Sequence, residues 1–251
     1  MQPRIKTEQE IAAMRIGGKI LATIYQGLRA QVHEGVTERD IDAWVEREIK
    51  ASGATATYKE PSVRFPAVIC VSTNDKVVHG IPTDREFQKG DVASFDLVIT
   101  YDGMKTDAAF TMLVDEEPRG DKKRLIDVTQ RSLYDGISII KGGVRTGDIG
   151  AVIQRTLLAG RLGIVREMVG HGIGHEMHEP PDVPNYGMSG TGHVLKPGMA
   201  IAIEPMATLG RERIKTDKDG WTIRTRDGSL AAHFEHTVLV TETGFEILTE
   251  L

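Results

Sequence analysis

The sequence predicts an α+β fold in which two similar halves pack around one sheet. Three observations predict it. Each half reads as two amphipathic helices followed by strands. The stretch Val92–Val114 reads as two apolar strands joined at Asp102-Gly103, a strong hairpin signal. The helix-to-helix joints also repeat: Gly35-Val36-x-x-x-Asp40-Ile41-x-Ala43 matches Gly143-Val144-x-x-x-Asp148-Ile149-x-Ala151, five identities at an offset of 108. The halves are expected at about 1–118 and 119–251.

Thr7 with Glu10 three residues on is a capping box. Ile11, Met14, Leu21, Ile24 and Leu28 then follow at helical spacing, with one face apolar to about Val32. Gly35 breaks this helix. A second opens at Thr37 or Arg39-Asp40 and stops near Ser52-Gly53. After a loop rich in proline and aromatic residues (58–66), a strand is expected over Ala67–Ser72, and then His79 precedes a Gly-x-Pro break. Helices are expected over Lys122–Ile140 and Asp148–Arg161, separated by Gly142-Gly143. Strands are expected over Val165–Val169 and Met199–Glu204, a hairpin within Gly220–Gly228, and a last core strand over Ala231–Val240.

The composition narrows the function classes. The 251 residues are 40% apolar and 27% charged, with net charge −5, as expected of a globular chain. No basic stripe points to nucleic acid. Cys70 is the only cysteine, so there is neither a disulfide framework nor a zinc ribbon, which suits a reducing cytosol. The charged N-terminus (Met1-Gln-Pro-Arg-Ile-Lys) is unlike a signal peptide, and no apolar run approaches the ~18 residues of a membrane span. A cytoplasmic location is expected.

Four carboxylates share one anomaly: Asp96, Asp107, Glu204 and Glu235 each lie in an apolar, strand-like run. A tight turn at Asp102-Gly103 pairs Asp96 with Ala109 and Val98 with Asp107, so the two aspartates project from one face as diagonal neighbours. Buried anions side by side are costly unless a cation lies between them. Oxygen ligands with an added imidazole suit Mn, Fe, Co or Zn in a paired site. Among the histidines, His171 is best placed, flanked by glycines. His33 has no expected role, His193 and His233 read as surface or core, and His236 is expected on the opposite strand face from Glu235. The helical zinc-protease pattern is absent, since His175-Glu-Met-His178 is one residue too short, and no Gly-x-Ser-x-Gly elbow occurs.

His79-Gly-Ile-Pro, the Asp96/Asp107 pair, Gly170-His171-Gly-Ile-Gly-His, His178-Glu, Ile203-Glu204-Pro and Phe234-Glu235-His-Thr resemble methionine aminopeptidase type I along nearly the whole chain. The resemblance implies the pita-bread (creatinase/aminopeptidase-like) fold, two pseudo-symmetric halves with helices on a curved antiparallel sheet. It makes 1–251 one catalytic domain that removes initiator methionine from nascent chains when the second residue is small. It places two divalent metals on Asp96, Asp107, His171, Glu204 and Glu235, with Asp107 and Glu235 bridging. His79 and His178 match substrate-contacting histidines. In the mechanism that follows from such a site, Glu204 is the general base, and His79 and His178 stabilise the tetrahedral intermediate. The methionine pocket falls on Phe65, Cys70, Met177 and Trp221, with His79 at its edge. Phe65, Met177, Ser62 and Val78 stand where relatives often carry tyrosine, phenylalanine, tyrosine and cysteine. A monovalent-cation site of backbone carbonyls would fall near Asn74, Lys76 and Ala231.

The partners so implied are nascent polypeptide N-termini, with ribosome association left open, and neither nucleic acid nor membrane; a monomer is expected. One alternative is another pita-bread peptidase, such as an Xaa-Pro aminopeptidase. Those relatives usually carry an N-terminal domain, for which a first helix beginning near Thr7 leaves no room. A metal-free RNA- or ribosome-binding paralogue should have lost ligands or gained basic patches. A purely structural metal site leaves His79, His178 and the pocket residues without a purpose.

Overall fold

The computed structural model describes residues 3–251; Met1 and Gln2 of the charged N-terminal stretch lie outside them. Helix α1 spans Glu8–Arg29 behind a complete Thr7/Glu10 capping box, and α2 spans Glu38–Ser52 behind a Thr37/Asp40 box, ending on Gly53 at φ 78°. Helices α3 (Gly120–Ser138) and α4 (Thr146–Ala159) each begin two residues before the expected start, a difference within the fraying of helix ends. Among the described residues, no helix is long and apolar enough to cross a membrane.

The main sheet has nine strands, all antiparallel. Its longest strands form the hairpin Val92–Tyr101/Met104–Leu113, paired as Asp96 opposite Ala109 and Val98 opposite Asp107. Met104–Leu113 continues onto Glu235–Val240, which pairs with Ala200–Ile203 and through it reaches Gly170–Gly172. Phe95, Leu97, Ile99, Phe110, Ile201, Ile203 and Val238 point to one face and form a continuous core with α1–α4. That burial is the main stabilising term. The other face carries Asp96, Asp107, His171 and Glu235.

The correspondence at 108 residues extends to the backbone. Gly35 N–H donates to the Phe87 carbonyl and Phe87 N–H to Val36; Gly143 N–H donates to Leu195 and Leu195 N–H to Val144. Isolated bridges Thr37–Glu86 and Arg145–Val194 repeat the same step.

Four expected elements differ. The strand expected over Ala67–Ser72 spans Cys70–Thr73, because the Val68 and Ile69 N–H groups donate to the Asp42 carboxylate instead of to a ladder. Only Gly163–Ile164 pairs as a strand before Gly170, because Glu167, Met168 and Val169 leave the ladder to line a cavity. The expected 220–228 hairpin becomes Ile214–Thr216 against Ile223–Thr225. The Asp219 carboxylate, accepting from the Trp221 and Thr222 N–H groups at 2.8 and 2.9 Å, sets the turn before the strand rather than after it. The last core strand is split at Phe234: Ala231–His233 joins Met206–Thr208, whereas Glu235–Val240 crosses the main sheet.

His79 sits in the left-handed region at φ 56°, a costly conformation for a side-chain-bearing residue that its surroundings must hold. The segment carrying it is anchored by Glu38, which is fully buried at the start of α2. Its carboxylate accepts from Thr73 Oγ1 (2.8 Å), Lys76 Nζ (3.2 Å) and both the N–H and hydroxyl of Thr83 (3.1 and 2.9 Å). Removing one partner of a buried ion pair leaves the other charge uncompensated. Glu38→Ala should therefore lose about 3–5 kcal/mol in urea unfolding. A midpoint matching the unsubstituted protein would refute this anchoring role.

Candidate active site

The ladder builds a row of side chains across three strands. Asp96 faces Ala109, and Ala109 faces Glu235. Asp107 lies two residues along from Ala109, on the same face. Two strands beyond that of Glu235, His171 faces Ala202, which faces Thr237. Thr237 extends the pairing where the ladder thins: its hydroxyl accepts from Asp107 N–H at 2.9 Å and donates to the Asp107 carbonyl at 2.8 Å. Glu204 follows directly after Ala200–Ile203, ahead of Pro205. Asn185 fixes it there by donating to its carbonyl at 3.0 Å.

All five side chains are buried. His171 Nε2 lies 3.6 Å from Glu204 Oε1. Its Nδ1 is 2.9 Å from the Gly172 carbonyl, which can only accept. Nδ1 therefore carries the ring proton and Nε2 offers a lone pair to the carboxylates. Asp107 Oδ1 and Glu235 Oε1 are buried without any hydrogen-bond partner. Donor atoms of Asp107, His171 and Glu235 lie within 4.8 Å of one another.

The electrostatics follow from this crowding. Burial pushes Asp96 up to about 7, although the Tyr58 hydroxyl donates to it at 2.8 Å. Burial first, then repulsion from neighbouring carboxylates, raises Asp107, Glu204 and Glu235 well above the ordinary range. Burial holds His171 at about 3, helped by the nearby His178 ring. Four acids and a neutral imidazole whose lone pairs converge on one space fit divalent cations of the Mn–Zn series.

The histidines expected to contact substrate frame this cluster. A cavity of about 270 Å³ opens onto the carboxylates and is lined by His79 and His178. His79 is half-buried, held at about 4 by burial and by His178. His178 stands at the exposed rim, edge-on to His171 at 4.4 Å between ring centroids. Phe65, Cys70, Met177 and Trp221 come together in one apolar cluster with Tyr58 and Val98. Phe65 lies edge-on to Trp221 at 5.4 Å, and His79 edge-on to the same indole at 6.5 Å. Cys70 pairs with Asp96 across adjacent strands, so the apolar cluster adjoins the acids by register.

Other positions sort differently. His33 pairs with Asp115 and His193 is exposed. His175 pairs with Glu10 at 2.7 Å. His236 lies behind the sheet against Tyr134 and Thr249, as the strand alternation predicts. Near the expected monovalent site, the Asn74 carbonyl accepts from Ala231 N–H, and the Lys76 ammonium turns to Glu38. Two neighbours of the cluster escape sequence reasoning. Tyr58 reaches Asp96 over 38 residues, with no local signal. His233 is buried with Nε2 3.6 Å from Glu235 Oε2 and 3.8 Å from Glu204 Oε2. Its place two residues before Glu235 was the available signal.

The chain is 42% identical over 246 residues to methionine aminopeptidase 1 of Bacillus subtilis, covering 98% of each chain. It superposes on methionine aminopeptidase from Thermotoga maritima with TM-score 0.96 and 41% identity, covering 100% of each chain. A prolidase from Pyrococcus furiosus shares the fold, with TM-score 0.78 and 23% identity over 98% of this chain and 65% of that one. The architecture common to these is the α+β pita-bread fold. With residues 12–242 matched by the model of metallopeptidase family M24, the chain belongs to that family of metal-dependent hydrolases.

Proposed function

We propose that this protein removes N-terminal methionine from polypeptides whose second residue is small, as a dinuclear metallo-aminopeptidase. The observation that carries this reading is the pair of buried, unpartnered oxygens, Asp107 Oδ1 and Glu235 Oε1, in a cavity that adjoins a compact apolar cluster. Asp96, Asp107, His171, Glu204 and Glu235 would hold two divalent cations; Mn, Fe, Co and Zn all suit the set. Cations bound there would polarise the scissile carbonyl and lower the pKa of a water to about 7.

The chain's own groups supply the rest. Glu204 takes a proton from the attacking water and returns it to the leaving amine. His79 and His178, neutral at pH 7, donate N–H to the oxyanion that forms at the carbonyl. The methionine side chain enters beside Phe65, Met177 and Trp221, where its thioether meets ring edges. This substrate sets the action in the cytoplasm, on nascent chains, and a monomer suffices because all the residues named come from one chain.

Three outcomes test the reading. After reconstitution with each metal in turn, Met-Ala-Ser should be cleaved while Leu-Ala-Ser and Ala-Pro peptides are not. Cleavage of Ala-Pro alone would replace it with an Xaa-Pro activity. His79→Ala should retain bound metal and lose ~100- to 1000-fold in kcat, as for other lost oxyanion donors; turnover near wild type would remove His79 from the mechanism.

The third outcome concerns pH. Metal-free, the folded protein holds protons on Asp96 up to about 7, and on Asp107, Glu204 and Glu235 beyond the ordinary range. The unfolded chain releases the same protons near pH 4, so these acids make stability fall as pH rises. The lowered His79, His171, His233 and His236 give the opposite slope, but only below their unfolded value of about 6.5. Chelated protein should therefore lose unfolding free energy between pH 6.5 and 8, and saturating Mn should flatten that loss. A chelated curve that rises over this window would contradict the buried acid cluster.

A further inference from the structure

His233 is 1% exposed, and neither ring nitrogen has a hydrogen-bond partner. Buried polar groups left unpaired in this way call for an explanation. Its position is not loose. The backbone N–H donates to Thr111 Oγ1 at 2.9 Å, and the carbonyl accepts from the same hydroxyl at 2.8 Å. Nε2 is thereby set facing Glu204 Oε2 and Glu235 Oε2, at 3.8 and 3.6 Å.

The opposite oxygens of these carboxylates look elsewhere. Glu204 Oε1 faces the His171 lone pair at 3.6 Å, and Glu235 Oε1 is an unpartnered atom of the cluster. Each glutamate thus presents one oxygen to the cation space and the other to a single imidazole. We infer that His233 is a positioning residue: its Nε2–H is the shared donor that holds the Oε2 atoms of Glu204 and Glu235 and so aims their Oε1 atoms at the cations. This rests on the reading above that both glutamates are ligands. Shifts of about 0.9 Å at Glu204 and about 0.7 Å at Glu235 close the present gaps of 3.8 and 3.6 Å to the ~2.9 Å of a charge-assisted bond. Coordination by His233 itself, with the two Oε2 atoms as fellow ligands, is the competing role, since donor atoms of Glu204, His233 and Glu235 lie within 4.8 Å of one another. It would add a sixth protein ligand to the five already assigned to the cations, whereas a hydrogen-bond donor outside that set leaves the five in place.

Calorimetric titration of chelated protein with Mn separates these cases. The unsubstituted protein should bind two Mn ions; if it binds none, the ligand reading fails rather than this one. His233→Ala should weaken the tighter site 10- to 100-fold, the usual effect of losing an outer hydrogen-bond donor to a ligand. His233→Gln restores an N–H donor and should recover to within about threefold. An alanine variant that binds as tightly as wild type overturns the proposal, as does a glutamine variant as weak as alanine. A measurement on the unsubstituted sequence does not depend on how the variants fold. In Zn-loaded protein with 15N-labelled histidine, His233 should show a protonated Nε2; a metal-bound nitrogen at His233 overturns the donor role.

Discussion

Four carboxylates held against their own repulsion are the constraint to which the rest of the structure answers. In water they would separate. Here antiparallel pairing fixes Asp96, Asp107 and Glu235 to neighbouring strands of one sheet, and burial removes the solvent that would screen them. The helices on the opposite face make that arrangement affordable. Their apolar contacts with Phe95, Leu97, Phe110 and Ile203 lock the register against slippage. Without that rigidity the acids would rotate outward, and the cation space would close.

How much of this is legible in the chain depends on the range of the interactions. The hairpin register is legible because a two-residue Asp-Gly turn admits one pairing, and alternation then puts both aspartates on one face. Glu204 and Glu235 are legible as anomalies, charges in apolar runs, but their convergence is not, since it needs a sheet assembled from both halves. The turn at Asp217–Thr222 is hidden because a single side chain, Asp219, decides it. Tyr58 and His233 are hidden because each meets the acids only through tertiary packing. The split at Phe234 breaks the simple alternation that would otherwise have tied His233 to Glu235.

The matched joints show how two stretches of limited identity reach one shape. Beyond five residues, Gly35 and Gly143 share little with their surroundings. Yet both donate to a residue 52 positions on, and both receive the return bond at the next residue, Val36 or Val144. What persists is the backbone path. The side chains have diverged: Thr37 caps α2, while Arg145 occupies the corresponding position before α4. Segments before α3 contribute the aspartates and His79, and segments after α4 contribute His171, His178 and the glutamates, so the cluster draws on both ends of the chain.

Ala109 and Ala202 stand in the middle of the acid row, each between groups of far greater chemical reach. Their methyl groups contribute nothing reactive. A valine or leucine at either place would rise from the sheet into the volume between the carboxylates. The depth of the basin is therefore set by the two residues with the least side chain, and its capacity for ions is a property of vacancy as much as of charge.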